Sequence, residues 1–191
     1  VPTEFGSILF NRAQRGFAQL EKADAELHKQ LISRNNQSRL NHLSKFATNH
    51  ELIAAILVAE VESVSRAANK MGVPQPAVTR SLRSLEQRIN LPLFDRTRNG
   101  MFPTPAGEIV VKRSKIAFSE IADAVEEIEH LNGIERGFIN IGVLPLARVH
   151  LVPVAVERFL KENTNVHISI VEGSYESQIR SLGHGEIDII V

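Results

Sequence analysis

The feature that most constrains this fold is a change of apolar period partway along the chain. From Glu51 to Leu131 apolar residues recur at helical spacing with one short interruption, and from Gly137 onward strand-like and helical segments alternate. That switch predicts a helical module, a helical connector and a separate α/β module. In the helical part, Leu52, Ile53, Ile56, Leu57 and Val61 are expected to share one buried face. Val64, Ala67, Ala68 and Met71 form a second at i, i+3, i+4, i+7, and Gly72 breaks it. After Val73-Pro74-Gln75-Pro76 a third helix is expected, with Pro76 near its first turn and Val78, Leu82, Leu85 and Ile89 as its buried stripe. Asn90, which tolerates a left-handed turn, ends it.

Several chemistries are closed from the start. The chain holds no Cys, so a disulfide framework, a zinc ribbon or a thiol nucleophile has no residues to use. Its longest apolar run, Leu52 to Ala59, is eight residues, against about 20 for a membrane span. Val1 to Arg15 show no basic start followed by an apolar stretch, so no secretory signal is read and a cytoplasmic location is expected. An opening Val and a closing apolar run, Ile187 to Val191, suggest a piece of something longer.

The net charge of zero hides a gradient. Residues 62 to 115 carry ten Lys and Arg against four Asp and Glu, whereas residues 116 to 191 carry five against twelve. Charge acts over about a Debye length, so this asymmetry fits a basic binding module joined to an acidic one with another task. Two solvated surfaces of opposite sign would give the same count.

Ala68, Gly72 and Val78 have the spacing of a tight helix-turn-helix: a small residue where helices cross, a permissive turn residue, then a buried branched one. On a helical wheel, Arg83, Pro76, Gln87 and Arg80 fall opposite Val78, so the outward face is polar and basic. Such a face suits the major groove, where Gln can bond adenine and Arg guanine, although any surface helix has a polar face. Leu93 to Arg98 and Met101 to Pro103 flank Asn99-Gly100, a strong hairpin dipeptide. The expected hairpin is a wing, with Arg98 entering a minor groove and Asn99 beside it. Arg96 stands behind Arg98 as a further groove candidate, but the preferred reading gives it a structural role, pairing with Glu86 or Asp95.

Ser65-Arg66-Ala67-Ala68, Gln75-Pro76-Ala77-Val78-Thr79-Arg80, Leu85-Glu86, Pro92-Leu93-Phe94-Asp95-Arg96 and Thr104-Pro105-Ala106-Gly107 resemble the DNA-binding domain of LysR-type transcriptional regulators. The resemblance implies that the helix holding Gln75, Pro76, Thr79 and Arg80 reads the major groove of double-stranded DNA and that the wing touches the minor groove; the helical wheel adds Arg83 to the first set, and the hairpin reading gives Arg98 and Asn99 for the second. It also implies RNA polymerase as a partner. Pro74 stands where the family usually has a capping Ser, which removes an acceptor worth about 1 kcal/mol. Thr79 replaces a commoner Ser, and its hydroxyl is expected to reach a phosphate.

Thr104 can cap and Pro105 can begin a helix to Leu131, with an apolar stripe from Ala106 to Leu131. Such a helix is about 40 Å long, more than a small winged module can cover, so pairing with a second copy through residues 104–132 is expected, as a dimer or tetramer. Turn residues Asn132-Gly133 and Arg136-Gly137 follow. Strand Phe138 to Val143, helix His150 to Lys161, strand Val166 to Val171, helix Tyr175 to Leu182 and strand Ile187 to Val191 give a βαβαβ order and a parallel, doubly wound sheet. The resemblance makes this the first part of a periplasmic-binding-protein-like effector domain, and a small-molecule effector is carried over weakly to Leu144, Pro145, Ser174 and Tyr175. Turn and packing roles explain those four residues equally well.

Residues 1–49 lie outside the resemblance. Phe17, Leu20, Leu27 and Leu31 suggest an amphipathic helix there, which could lengthen the dimer contact but is read as a loosely packed appendage. The seven His residues lack metal-ligand spacing, and Gly183-His184-Gly185 lacks the Lys of a phosphate loop. The expectation is therefore a winged helix-turn-helix at 50–103, a linker helix at 104–132 and an incomplete α/β domain at 137–191. No catalytic residue, metal or cofactor is expected. The function expected is sequence-specific, effector-responsive regulation of transcription; a constitutive DNA-binding dimer or architectural protein is the alternative.

Overall fold

The computed structural model describes residues 2–33, 42–133 and 137–191. Two compact units result. Arg15–Ala117 form one; the start of the chain through Gln14, with Phe118–Val191, forms the other. The turn expected at Arg136 lies outside the described residues.

The unit Arg15–Ala117 holds most of α1 (Glu4–Ser33), then α2 (Leu43–Phe46), α3 (Asn49–Val61), α4 (Val64–Met71), α5 (Gln75–Ile89), the hairpin β1 (Phe94–Thr97) and β2 (Gly100–Pro103), and the first half of α6 (Pro105–Leu131). Helix α3 starts at a capping box: the Thr48 hydroxyl accepts from the Glu51 amide, and the Glu51 carboxylate accepts from the Thr48 amide at 2.9 Å. Its buried face is Leu52, Ala54, Ala55 and Val58, whereas Ile53 is exposed. This corrects the expected face. Leu52 to Ala59 are all apolar, so period alone could not choose a side, and the small alanines allow α4 and α5 to approach closely. The α5 stripe of Val78, Leu82, Leu85 and Ile89 is buried as its spacing required. Gly72 at φ 66° and Asn90 at φ 54° supply the left-handed turns that end α4 and α5.

Helix α1 is not a loose appendage. Ala23, Leu27 and Leu31 are buried, and Gly16 lies so near α6 that a Cβ there would stand 3.1 Å from the Ala117 carbonyl oxygen. Arg113 of α6 donates to Gln19 at 2.8 Å and to Glu26 of α1. Phe17 points away from this contact and is exposed. Part of the α6 stripe assigned to a second copy is thus covered by the chain's own α1. The reason is that 30 residues ahead of the winged module form a helix long enough to lie along it.

In the other unit, Arg12 of α1 bonds Glu120, Asp123 and Glu127 of α6 at 2.9–3.2 Å, and Ala124 is buried. The α6 residues Ile121, Val125 and Leu131 stay exposed. Three parallel strands, β3 (Gly137–Val143), β4 (Val166–Glu172) and β5 (Ile189–Ile190), lie in the order β4-β3-β5. Helices α7 (Leu151–Glu162) and α8 (Tyr175–Gly183) join them, in the predicted βαβαβ order. Gly142 has no room for a side chain, since a Cβ would lie 2.3 Å from Gln178 Oε1 and 2.5 Å from Ile187 Cδ1. No described helix is long and apolar enough to cross a membrane.

A candidate nucleic-acid interface

Helix α5 carries the site because its buried stripe turns the opposite residues outward. Gln75, Pro76, Arg80, Arg83 and Gln87 are all exposed. Pro74 is the N-cap and offers no side-chain hydrogen bond; Pro76 has no amide proton, and the Ala77 amide donates to the Pro74 carbonyl at 2.9 Å. The Gln75 carboxamide oxygen accepts from the Ser65 hydroxyl at 3.0 Å, which fixes the side chain while leaving its amino group to donate. Thr79 is half-buried, and its hydroxyl donates to the Gln75 carbonyl at 3.2 Å. That proton is committed within the helix, so Thr79 must rotate to donate to a phosphate.

The wing differs from its expected register. Thr97 pairs with Gly100, so Arg98 and Asn99 are the two turn residues, and Asn99-Gly100 is not the tip. Two contacts explain the shift. The Asn99 amide donates to Thr97 Oγ1 at 3.1 Å, and Gly100, at φ 148°, presses against α3, where a Cβ would stand 2.8 Å from the Glu62 carbonyl oxygen. The Met101 amide donates to that same carbonyl at 2.9 Å, which pins the hairpin to the end of α3. Arg98 therefore stands at the tip, fully available.

Arg96 is also corrected. Glu86 accepts from the Leu93 amide at 2.8 Å, and Arg96 is exposed with no ion pair among the described residues. It lines, with Arg66, Arg83 and Arg98, a groove of 520 Å³ between the wing and the helices α4 and α5. Glu62 and Glu86 are the carboxylates on its wall. None of the four guanidinium groups has a carboxylate partner among the described residues, so the groove presents net positive charge. Sequence reasoning missed Arg66 in this role; its place in the first turn of α4, just after Ser63 caps the helix, is the signal that could have found it.

The base of the site is tied to α2 and α3. Arg88, in the last turn of α5, bonds the Phe46 carbonyl and, at 3.2 Å, the buried carboxylate of Glu51. Burial pushes the Glu51 carboxyl up, but hydrogen bonds from Ser84 and Thr48 and the charge of Arg88 outweigh it and hold the group below the usual range.

The residues carried over for an effector belong to the other unit. The β3–β4 register pairs Val143 with Glu172, so Leu144-Pro145 and Ser174-Tyr175 leave neighbouring strand ends. The Leu144 amide donates to the Val191 carbonyl at 2.8 Å, and Ser174 caps α8 by accepting from the Ser177 amide at 3.3 Å. Pro145 and Tyr175 are exposed. No group of three or more His, Asp or Glu residues able to hold a metal occurs among the described residues.

A helix pair at a tight turn, an outward basic face and an Arg-tipped hairpin define a winged helix-turn-helix. Residues 50–108 match the family described as bacterial regulatory helix-turn-helix protein, lysR family, and they form a helix-turn-helix domain of that family. Among curated relatives, the chain is 27% identical over 189 residues to the HTH-type transcriptional regulator GalR of Pseudomonas putida, covering 99% of this chain and 45% of that protein. That match spans α1 as well. It is 30% identical over 134 residues to the HTH-type transcriptional regulator PcaQ of Agrobacterium fabrum, covering 70% of this chain and 43% of that one. The chain thus spans less than half the length of these relatives. Among solved structures, a full-length OxyR variant from Pseudomonas aeruginosa superposes with a TM-score of 0.55 at 21% identity, over 75% of this chain and 50% of that one. CbnR, a LysR family transcriptional regulator, gives 0.51 at 21% identity, over 72% and 46%. These two likenesses bear on the fold.

Proposed function

We propose that this chain acts as a sequence-specific DNA-binding transcriptional regulator of LysR type. Gln75, Pro76, Arg80 and Arg83 of α5 meet the major groove, with Thr79 beside them. Arg98 and Asn99 of the wing reach the adjacent minor groove. Residues 50–103 are the DNA-binding part, 104–132 the connector through which copies pair, and 137–191 part of an effector-binding domain. In this reading a small molecule bound near Leu144, Pro145, Ser174 and Tyr175 shifts the population of subunit arrangements, and so the DNA bend and the contact with RNA polymerase. The protein works in the cytoplasm and catalyses no reaction.

One observation carries the reading: four arginines without carboxylate partners among the described residues line a single groove between the reading helix and the wing. Phosphates of a duplex are the partners that such a groove fits, since Arg binds them through paired donors. Selection of sequences from a random duplex pool by the chain tests it. The expected result is enrichment of one half-site repeated about a two-fold axis; recovery of a pool as random as the input overturns it.

A further inference from the structure

We propose that Asp24, in the N-terminal helix α1, is a positioning residue for α5, and that α1 and α2 form a brace holding the reading helix at its working tilt. The inference rests on the reading of α5 as the helix that meets DNA. It makes a segment outside the helix-turn-helix domain part of the recognition machinery.

The observation is a pair of hydrogen-bonded links inside the unit Arg15–Ala117, one at each end of α2 and joined through its backbone. Asp24 is a buried carboxylate, 5% exposed. Its Oδ1 accepts from the Leu43 amide at 2.5 Å, and its Oδ2 accepts from the Ser44 amide at 3.2 Å and from the Ser44 hydroxyl at 2.7 Å. These groups belong to the first turn of α2, whose own N-cap residue, His42, contributes no side-chain hydrogen bond. Without Asp24 the leading amides of that four-residue helix have no cap from α2 itself. At the other end of α2, the Phe46 carbonyl accepts from Arg88 in the last turn of α5. Arg88 is held from its other side by Glu51 at 3.2 Å.

Geometry explains why this matters beyond holding the fold together. The apolar stripe of α5 is attracted to the core without directional preference, so it resists separation better than it resists tilt. Hydrogen bonds at one end are directional and fix the tilt. From Arg88 to Gln75 the helix is a lever of about 20 Å, so a tilt of about 3 degrees moves the reading end by about 1 Å. Base-edge hydrogen bonds do not survive displacements much larger than that, whereas attraction of arginines to phosphate does. Loss of the brace therefore falls on sequence discrimination.

The test substitutes Asp24→Ala and Asp24→Asn in the whole chain. Each variant is titrated with a duplex selected from a random pool by the unsubstituted protein and with a random-sequence duplex. Hydrogen exchange is followed in the last turn of α5 and in α4. For Asp24→Ala the expected result is about tenfold weaker binding to the selected duplex, with random-duplex binding changed by less than about twofold. Exchange should quicken in the last turn of α5 and not in α4. Asp24→Asn, which keeps one acceptor oxygen, should fall between. An unchanged ratio of selected to random affinity in both variants overturns the proposal, as does exchange that quickens equally in α4 and α5. If the unsubstituted protein selects no sequence, the DNA reading of α5 fails by itself. The brace is then decided by exchange: a rise confined to the end of α5 upholds it, and no rise there overturns it.

Discussion

Gly107 and Leu93 meet backbone to backbone: a Cβ on residue 107 would stand 2.0 Å from the Leu93 carbonyl oxygen. The same carbonyl accepts from the Thr104 amide at 2.9 Å, while the Thr104 hydroxyl donates to the Pro92 carbonyl at 2.7 Å and accepts from the Gly107 amide at 3.1 Å. The start of α6 is thereby locked to the foot of the wing. Gly107→Ala should cost about 3 kcal/mol, because backbone on both sides must move. A melting temperature lowered by about 6–12 °C is expected; an unchanged melting temperature contradicts so close an approach.

The exposed side of α6 and the arginine groove together predict a salt dependence. Ile121 and Val125 remain exposed on α6, and the reading given above has them contact a second copy. If the four groove arginines each neutralise one phosphate, a pair of chains should bind DNA with a log-log salt slope of about −7. Val125→Asp should leave single chains in sedimentation and bring the slope to about half that value. A variant that still pairs, or a slope that does not change when pairing is lost, contradicts the assignment.

Two carboxyls predict opposite responses to pH. Glu51 is held below its usual range, so its contribution to stability is complete above the unfolded-state value and is lost as pH falls through the lower folded-state value. Glu126 is pushed up by burial and by its neighbours Asp123, Asp188 and Glu129. The folded chain therefore binds that proton more tightly, and stability falls as pH rises from the usual value through the raised one. Glu126→Gln should raise the melting temperature slightly at neutral pH and leave it unchanged in acid; Glu51→Gln should lower it at neutral pH. Thermal scans at several pH values check both signs.

How far these features could be read from sequence depended on their range. The α5 stripe, the end of α4 at Gly72 and the end of α5 at Asn90 follow from local period and turn preference, so they were legible, as was the parallel βαβαβ order. The face of α3 was not, because Leu52 to Ala59 are apolar in every direction. The wing register was missed by one residue, since Asn99-Gly100 is a strong local turn signal while the deciding contact, Gly100 against Glu62, joins residues far apart in sequence. The docking of α1 through Asp24, Gly16 and Arg113 is likewise set by distant partners. The spacing of Leu27 and Leu31 marks an apolar face on that helix but does not name what it packs against.

The account turns on whether the outward face of α5 reads bases, and binding of Arg80→Ala to the selected and to random duplexes measures this most directly. The predicted result is a loss of about 1–3 kcal/mol on the selected duplex with relaxed preference at one base pair, and little change on random DNA. Equal losses on both duplexes would show that Arg80 touches only phosphate and would contradict the account.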